Sequence, residues 1–330
     1  MTPAPLVIAH RGASGYRPEH SLSAYRLALE LGADAIEPDL VSSRDGVLVL
    51  RHENEISGTT DVASRAEFAD RRTTKTIEGA SQTGWFTEDF TWAELSTLRV
   101  RERLPAVRPG SAAFDGEEPM LRLDDLLALL DDAPRPVGLV AEIKHASYFE
   151  SIGLPLDELT AAALSSAGWA SDDRLTIESF EQTVLEQVSA RGVGGRLVYL
   201  VEKSGAAADQ IARSGSAAVS YADQIGAAGL AGLASSGLHG ISLDKSMLID
   251  AHGVGHGEVV DTAHAAGLDV FTWTLRAENA FLAKANRTAG GKEARGDWRA
   301  EFATIMGLGV DGVFADQPEL AMEARRALGG

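Results

Sequence analysis

The chain is expected to fold as a barrel of alternating strands and helices, with a small insertion after its second strand unit. Three observations predict this. Roughly eight apolar runs of strand length alternate with segments of helical spacing. Polar residues recur where those runs end: His10-Arg11, Glu37 with Asp39, His52, Glu142 with Lys144, Glu178-Ser179-Phe180, Asp244-Lys245, Trp273 and Asp316. Strand C-terminal ends form the reactive rim of such barrels. Finally, 330 residues, 45% of them hydrophobic and 24% charged, supply a large packed core. A doubly wound open sheet is the alternative. It is disfavoured because GASG (Gly12 to Gly15) lacks the glycine spacing of a dinucleotide-binding turn after the first strand.

The elements follow in order. LVIAHRG enters a strand almost at once, and SLSAYRLALELG reads as a helix. Ser21 is placed to cap it, Leu22, Tyr25 and Leu29 share a face, and Gly32 ends it. AIEPDLV and GVLVLRHE read as two strands joined at Arg44-Asp45-Gly46, a tight turn that predicts a hairpin. Residues 53–118 break the rhythm, being rich in Thr, Arg, Asp and Gly, with GWFTEDFTWAEL and RVRERLPAVRPG near the end. The segment is too long for a plain loop and is expected to carry structure of its own, lying over one rim of a single domain that spans residues 1–330. Alternation resumes with LRLDDLLALL as helix and VGLVAEIK as strand. LTIESF, RLVYLVE, GISLDKSMLI, DVFTWTL and GVFAD are the later strands, with helices between them and PELAMEARRALG closing the chain. The Gly/Ala/Ser-rich stretch from Gly205 to Gly237 does not divide by pattern.

Bulk properties exclude some functions. A formal net charge of −18 argues against general nucleic-acid binding, which needs clustered Lys and Arg. There is no cysteine, so any metal must be held by oxygen or imidazole. No basic segment followed by a long apolar stretch opens the chain, and no apolar run approaches the roughly 20 residues of a spanning helix. The expectation is a cytoplasmic protein without stable membrane insertion, if Met1 is the native start. The sequence leaves the oligomeric state open.

His10, Glu37, Asp39 and His52 together point to acid–base chemistry beside a metal ion. Side chains two apart on a strand share a face, so Glu37 and Asp39 point together. Two inward carboxylates are costly unless they bind a cation, and Mg²⁺ or Ca²⁺ prefers such oxygens; a solvated strand end is the plainer reading. Glu142 and Lys144 repeat the spacing. Glu142 is a candidate third metal oxygen, and Lys144 offers charge to a substrate anion or simply pairs with Glu142. His10 and His52 are the candidate proton-transfer pair, since imidazole titrates near neutral pH. Arg11 presents a fork suited to phosphate or to an ordinary salt bridge.

HRGASGYRPEHS, EPDL, RHE, EIKH, ESFE, FTWTLRAEN and DGVFADQPE, in that order along nearly the whole chain, resemble the glycerophosphodiester phosphodiesterase family. TTDVA, GWFTEDFTWAEL, RERLPAVRP and KHASYFESIGLPL resemble its longer, bacterial periplasmic-type branch. The resemblance implies a TIM barrel with an insertion after the second strand unit. It also implies hydrolysis of glycerophosphodiesters to sn-glycerol 3-phosphate and an alcohol, dependent on a divalent cation, Ca²⁺ or Mg²⁺. Carried over by position, His10 and His52 match the catalytic histidines, and Glu37, Asp39 and Glu142 the metal ligands. Arg11 and Lys144 match phosphate-contacting cations, and Trp273 an aromatic near the glycerol, although a core aromatic is an equal reading. His20 stands where shorter members have Asn, and Glu53 where many have Asp. Two other readings stay open: a phosphodiesterase of the same barrel type acting on phospholipids or lysophospholipids, and a non-catalytic ligand-binding barrel. An exposed rim of Trp85, Phe86, Phe90 and Trp92 would favour the first; the same four residues would otherwise form the insertion's own core.

Overall fold

The computed structural model describes residues 4–329. Twelve strands appear among the described residues, in chain order. They are β1 (Leu6–His10), β2 (Ala35–Glu37), β3 (Asp39–Ser42), β4 (Leu48–Leu50), β5 (Thr73–Ile77), β6 (Ala80–Gly84), β7 (Gly138–Ile143), β8 (Leu175–Ser179), β9 (Arg196–Val201), β10 (Gly240–Asp244), β11 (Asp269–Leu275) and β12 (Gly312–Ala315). Parallel pairing runs β2-β1-β12-β11-β10-β9-β8-β7, and β2 also pairs with β7. The sheet therefore closes on itself as an eight-stranded parallel barrel, with helices in the connections.

Parity along the strands sets what faces inward. Val7, Ala9, Leu139, Ala141, Val313 and Ala315 join the large core beneath the helices. Their alternates Ile8, Ala35, Val140, Val198, Phe271 and Phe314 form a second, separate cluster, which is the barrel interior. Continuing that inner parity by two residues reaches His10, Glu37, Glu142, Trp273 and Asp316. The strand pattern thus fills the barrel with apolar side chains and then turns polar at one mouth.

The second strand unit is split at Pro38, which has no N–H to give to a ladder. Its carbonyl still accepts from the Glu142 amide at 2.9 Å, so β3 continues beside β7, with Asp39 opposite Glu142. β3 and β4 form the expected antiparallel hairpin, turning at Gly46 with φ +77°. The first helix, Leu22–Glu30, is capped as expected: the Ser21 hydroxyl accepts from the Ala24 amide at 3.1 Å. Gly205 to Gly237, undivided by sequence, holds the helices Ala208–Ser214, Tyr221–Gln224 and Ala227–Ser235.

Between β4 and β7, residues 53–118 add no barrel strand. They carry the hairpin β5–β6, short helical turns and the helices Trp92–Leu95 and Pro109–Ala112. Trp85, Phe86 and Phe90 are buried, and Phe68 meets Phe90 edge-on with ring centroids 5.1 Å apart. Trp92 is partly buried against the same core. These aromatics pack inward rather than forming an exposed apolar rim. No helix among the described residues is long and apolar enough to cross a membrane.

Candidate active site

The turn after β1 is the tightest part of the mouth. Arg11 adopts φ +57°, and its amide donates to Glu37 Oε2 at 2.7 Å. Gly12 follows at φ +83°, where an added Cβ would lie 2.7 Å from the Ala24 carbonyl carbon. This bend turns the backbone against the first helix and sends the Arg11 side chain back over Asp39, 3.2 Å from Nε to Oδ2.

Each imidazole rests on a carboxylate. His10 Nδ1 lies 2.6 Å from Asp316 Oδ1, and His52 Nδ1 lies 2.5 Å from Glu53 Oε1. Neither Nε2 has a hydrogen-bond partner among the described residues. Both rings border a cleft of about 340 Å³ shared with Arg11, Glu37, Glu142 and Glu178, with Phe180 and Trp273 on its wall. Those two aromatics pack edge-on at 5.7 Å. Burial, reinforced by Arg11, lowers His10 to about 4. Burial, with Arg11 and Lys144, lowers His52 to about 3. Both values put the rings in their neutral form at pH 7.

The acids do not behave alike. One oxygen each of Glu37, Glu142 and Glu178 lies within 4.8 Å of the others, and all three residues are buried. Burial drives all three upward, Glu142 to about 8, and neighbouring carboxylates add to the rise. Asp39 goes the other way. Burial raises it, but the cations of Arg11 and Lys144 and the hydrogen bond with His20 overcome that and hold it low. Its Oδ2 lies 3.0 Å from His20 Nε2, while its Oδ1 has no hydrogen-bond partner among the described residues, nor has Glu178 Oε2. Three buried glutamates brought this close, with one Glu178 oxygen left unpaired, suit a hard cation.

The two expected phosphate cations are present but occupied. Lys144 Nζ lies 2.7 Å from Glu142 Oε1 and 3.8 Å from Asp39 Oδ1. Arg11 bonds Glu19 at 3.1 Å as well as approaching Asp39. Both sit at the cleft edge, so the ion pair and the anion contact are compatible roles for each. A second lobe of about 490 Å³ adjoins through His52, Glu142, Phe180 and Trp273.

All eight residues singled out from sequence therefore lie at one barrel mouth: His10, Arg11, Glu37, Asp39, His52, Glu142, Lys144 and Trp273. Sequence reasoning did not assign Glu178, which sits opposite Glu142 in the β7–β8 register and completes the acidic trio. Nor did it assign the supporting groups Glu53, Asp316 and His20. The sequence pattern places Asp316 at a strand end, but its partner comes from the register: Ala315 pairs with Ala9 where β12 meets β1, so the next residue on each strand meets at the rim.

Comparison with known proteins shows the family. Residues 10–320 match the glycerophosphoryl diester phosphodiesterase family. A glycerophosphodiester phosphodiesterase of Arabidopsis thaliana, GDPD6, is 32% identical over 96% of this chain and 84% of its own. Among solved structures, a Silicibacter pomeroyi protein ascribed to the glycerophosphoryl diester phosphodiesterases superposes with a TM-score of 0.68 at 21% identity, covering 99% of this chain and 95% of that one. An Oleispira antarctica phosphodiesterase, solved with the product sn-glycerol-3-phosphate, gives 0.65 at 20% identity, covering 97% and 96%. The chain belongs to the glycerophosphoryl diester phosphodiesterase family and is an enzyme of that family.

Proposed function

We propose that the chain hydrolyses glycerophosphodiesters to sn-glycerol 3-phosphate and an alcohol, using a divalent cation, Ca²⁺ or Mg²⁺, and the imidazoles of His10 and His52. One observation carries the reading: two rings, each pinned at Nδ1 by a carboxylate, border a single cleft that also holds three converging glutamates. Glu37, Glu142 and Glu178 would hold the cation, with the free Oδ1 of Asp39 beside them. A cation there supplies positive charge to a non-bridging phosphate oxygen.

The chain's own groups do the rest. Arg11 and Lys144 share the charge that grows on the phosphorus-bound oxygens. One imidazole takes at its free Nε2 the proton of the nucleophile, which is water or the neighbouring glycerol hydroxyl; in the second case water then opens the cyclic phosphate that forms. The other, protonated once the phosphate anion is bound, gives a proton to the departing alkoxide, which leaves poorly without one. Trp273 and Phe180 lay an apolar wall for the glycerol carbons. The adjoining lobe gives the alcohol portion room. Of the aromatics of residues 53–118 that a lipid-surface reading would need exposed, Trp85, Phe86 and Phe90 are buried and Trp92 is partly buried.

The test is release of sn-glycerol 3-phosphate from glycerophosphocholine before and after chelation. Activity that disappears in EDTA and returns with Ca²⁺ or Mg²⁺ is the expected result. Full activity after exhaustive chelation and dialysis would remove the cation from the reading. No release under any condition would remove the substrate.

A further inference from the structure

Residues 101–111 run between the two imidazoles' supports, and they carry two arginines that end on the same kind of partner. Arg103 Nη1 and Nη2 donate to the two oxygens of Glu53 at 2.9 and 2.6 Å. Glu53 Oε1 is also the oxygen that meets His52 Nδ1. With Nε and the same Nη2, Arg103 grips Glu19 at 2.8 and 2.6 Å, and Glu19 in turn accepts from Arg11. Arg108 Nη2 donates to Asp316 Oδ2 at 2.5 Å, and Asp316 Oδ1 meets His10 Nδ1. Its Nε holds Glu278 Oε1 at 2.7 Å, and its Nη1 reaches the Ser14 carbonyl at 3.2 Å. Between the two arginines, Leu104 lines the cleft itself.

We propose that Arg103 and Arg108 are positioning residues: through Glu53 and Asp316 they fix the two imidazoles, so that a segment outside the barrel presets both proton-transfer groups within it. The proposal rests on the acid–base reading of His10 and His52. Its physical basis is the carboxylate's loss of freedom. Arg103 grips both oxygens of Glu53, while Arg108 holds Oδ2 of Asp316 as His10 takes Oδ1. A carboxylate so held cannot rotate freely, and the ring hydrogen-bonded to it inherits that orientation. Misplacing a proton-transfer group by about an ångström is enough to cost a large factor in rate. The two supports are unequal. Asp316 Oδ2 also accepts from Arg276 Nε at 2.7 Å, whereas Arg103 is the one arginine bound to Glu53 among the described residues. The Arg103 side should therefore be the more sensitive.

The experiment measures kcat and KM at saturating cation for Arg103→Met, Arg103→Lys, Arg108→Met, Glu53→Gln, the pair Arg103→Met/Glu53→Gln, and His52→Ala. Arg103→Met is expected to lower kcat by about 10- to 100-fold with KM within about twofold, as support residues of catalytic groups do. Arg103→Lys should recover most of the rate, Arg108→Met should lose less, and the double variant should be no slower than Glu53→Gln alone. A raised KM with kcat intact would make Arg103 a substrate contact and overturn the proposal. So would losses that multiply in the double variant. If Arg103→Met fails to fold, Glu53→Gln decides: kcat must fall at unchanged KM, and an unchanged kcat overturns the relay. Near wild-type turnover in His52→Ala would instead sink the acid–base reading beneath it.

Discussion

At the barrel mouth, Glu37, Glu142 and Glu178 crowd three carboxyl groups together, which makes each harder to ionise; in residues 101–111, Arg103 and Arg108 are each shared between two carboxylates. The first arrangement is unstable by itself and gains from a ligand of opposite charge. The second is neutralised in place and gains from staying still. The barrel supplies reactive groups kept ready by unmet charge, while the segment above it supplies rigidity through met charge. Both kinds of burial are costly, and the difference lies in whether the protein or a bound ion provides the compensation.

Four predictions probe that contrast. The largest concerns the mouth: His10→Ala and His52→Ala are each expected to lower kcat by about 10²- to 10⁴-fold. Circular dichroism should remain native-like in both, because neither ring belongs to the apolar core. Near wild-type kcat in either would dissolve the contrast from the barrel side. The next concerns the packing that holds residues 53–118 rigid. Phe90→Ala removes a fully buried ring packed edge-on to Phe68, and should cost about 3–5 kcal/mol in denaturant unfolding. A cost below about 1 kcal/mol would mean that this segment is not firmly packed.

The third uses pH on the unmet charge. Glu142, raised by burial to about 8 from an ordinary 4.5, keeps in the cation-free fold a proton that the unfolded chain loses. Its stabilising contribution is whole below pH 4.5 and is lost as pH rises towards 8. A bound cation takes the proton's place. Added Ca²⁺ or Mg²⁺ at about 100 times its Kd should therefore stabilise the fold by about 2.7 kcal/mol. The Kd itself should tighten from pH 6 to pH 8, read as a growing thermal shift at fixed cation. A shift independent of pH would show that the trio is already ionised. The smallest effect belongs to the aromatic wall. Trp273→Ala should raise KM by about 2- to 10-fold with kcat nearly kept, the scale of one aromatic contact. A larger fall in kcat would give Trp273 a part in the chemistry.

Local pattern made much of the mouth readable. The alternation through LVIAH fixes which face His10 joins, and the Asp45-Gly46 turn returns the chain so that His52 follows β4 to the rim. Glu37, Asp39 and Glu142 follow from the same period-two argument. What stayed hidden depends on pairing between distant segments. Glu178 gains its meaning only from the register that sets it opposite Glu142. Arg103 meets Glu53 across 50 positions, Arg108 meets Asp316 across 208, and Asp316 meets His10 across 306. No spacing rule reaches that far, and an arginine in a polar stretch looks the same whether it faces water or a carboxylate. The region from Gly205 to Gly237 resisted division for another reason: its small residues give helices with little apolar contrast between faces.

A crystal structure with Ca²⁺ or Mg²⁺ and sn-glycerol 3-phosphate bound tests the central claim most directly. The account predicts the cation at about 2.0–2.6 Å from oxygens of Glu37, Glu142 and Glu178. It also predicts the phosphate between the two imidazole Nε2 atoms, with Glu53 and Asp316 unmoved on Arg103 and Arg108. A cation bound away from that trio, or a phosphate that leaves one imidazole out of hydrogen-bond reach, would contradict it.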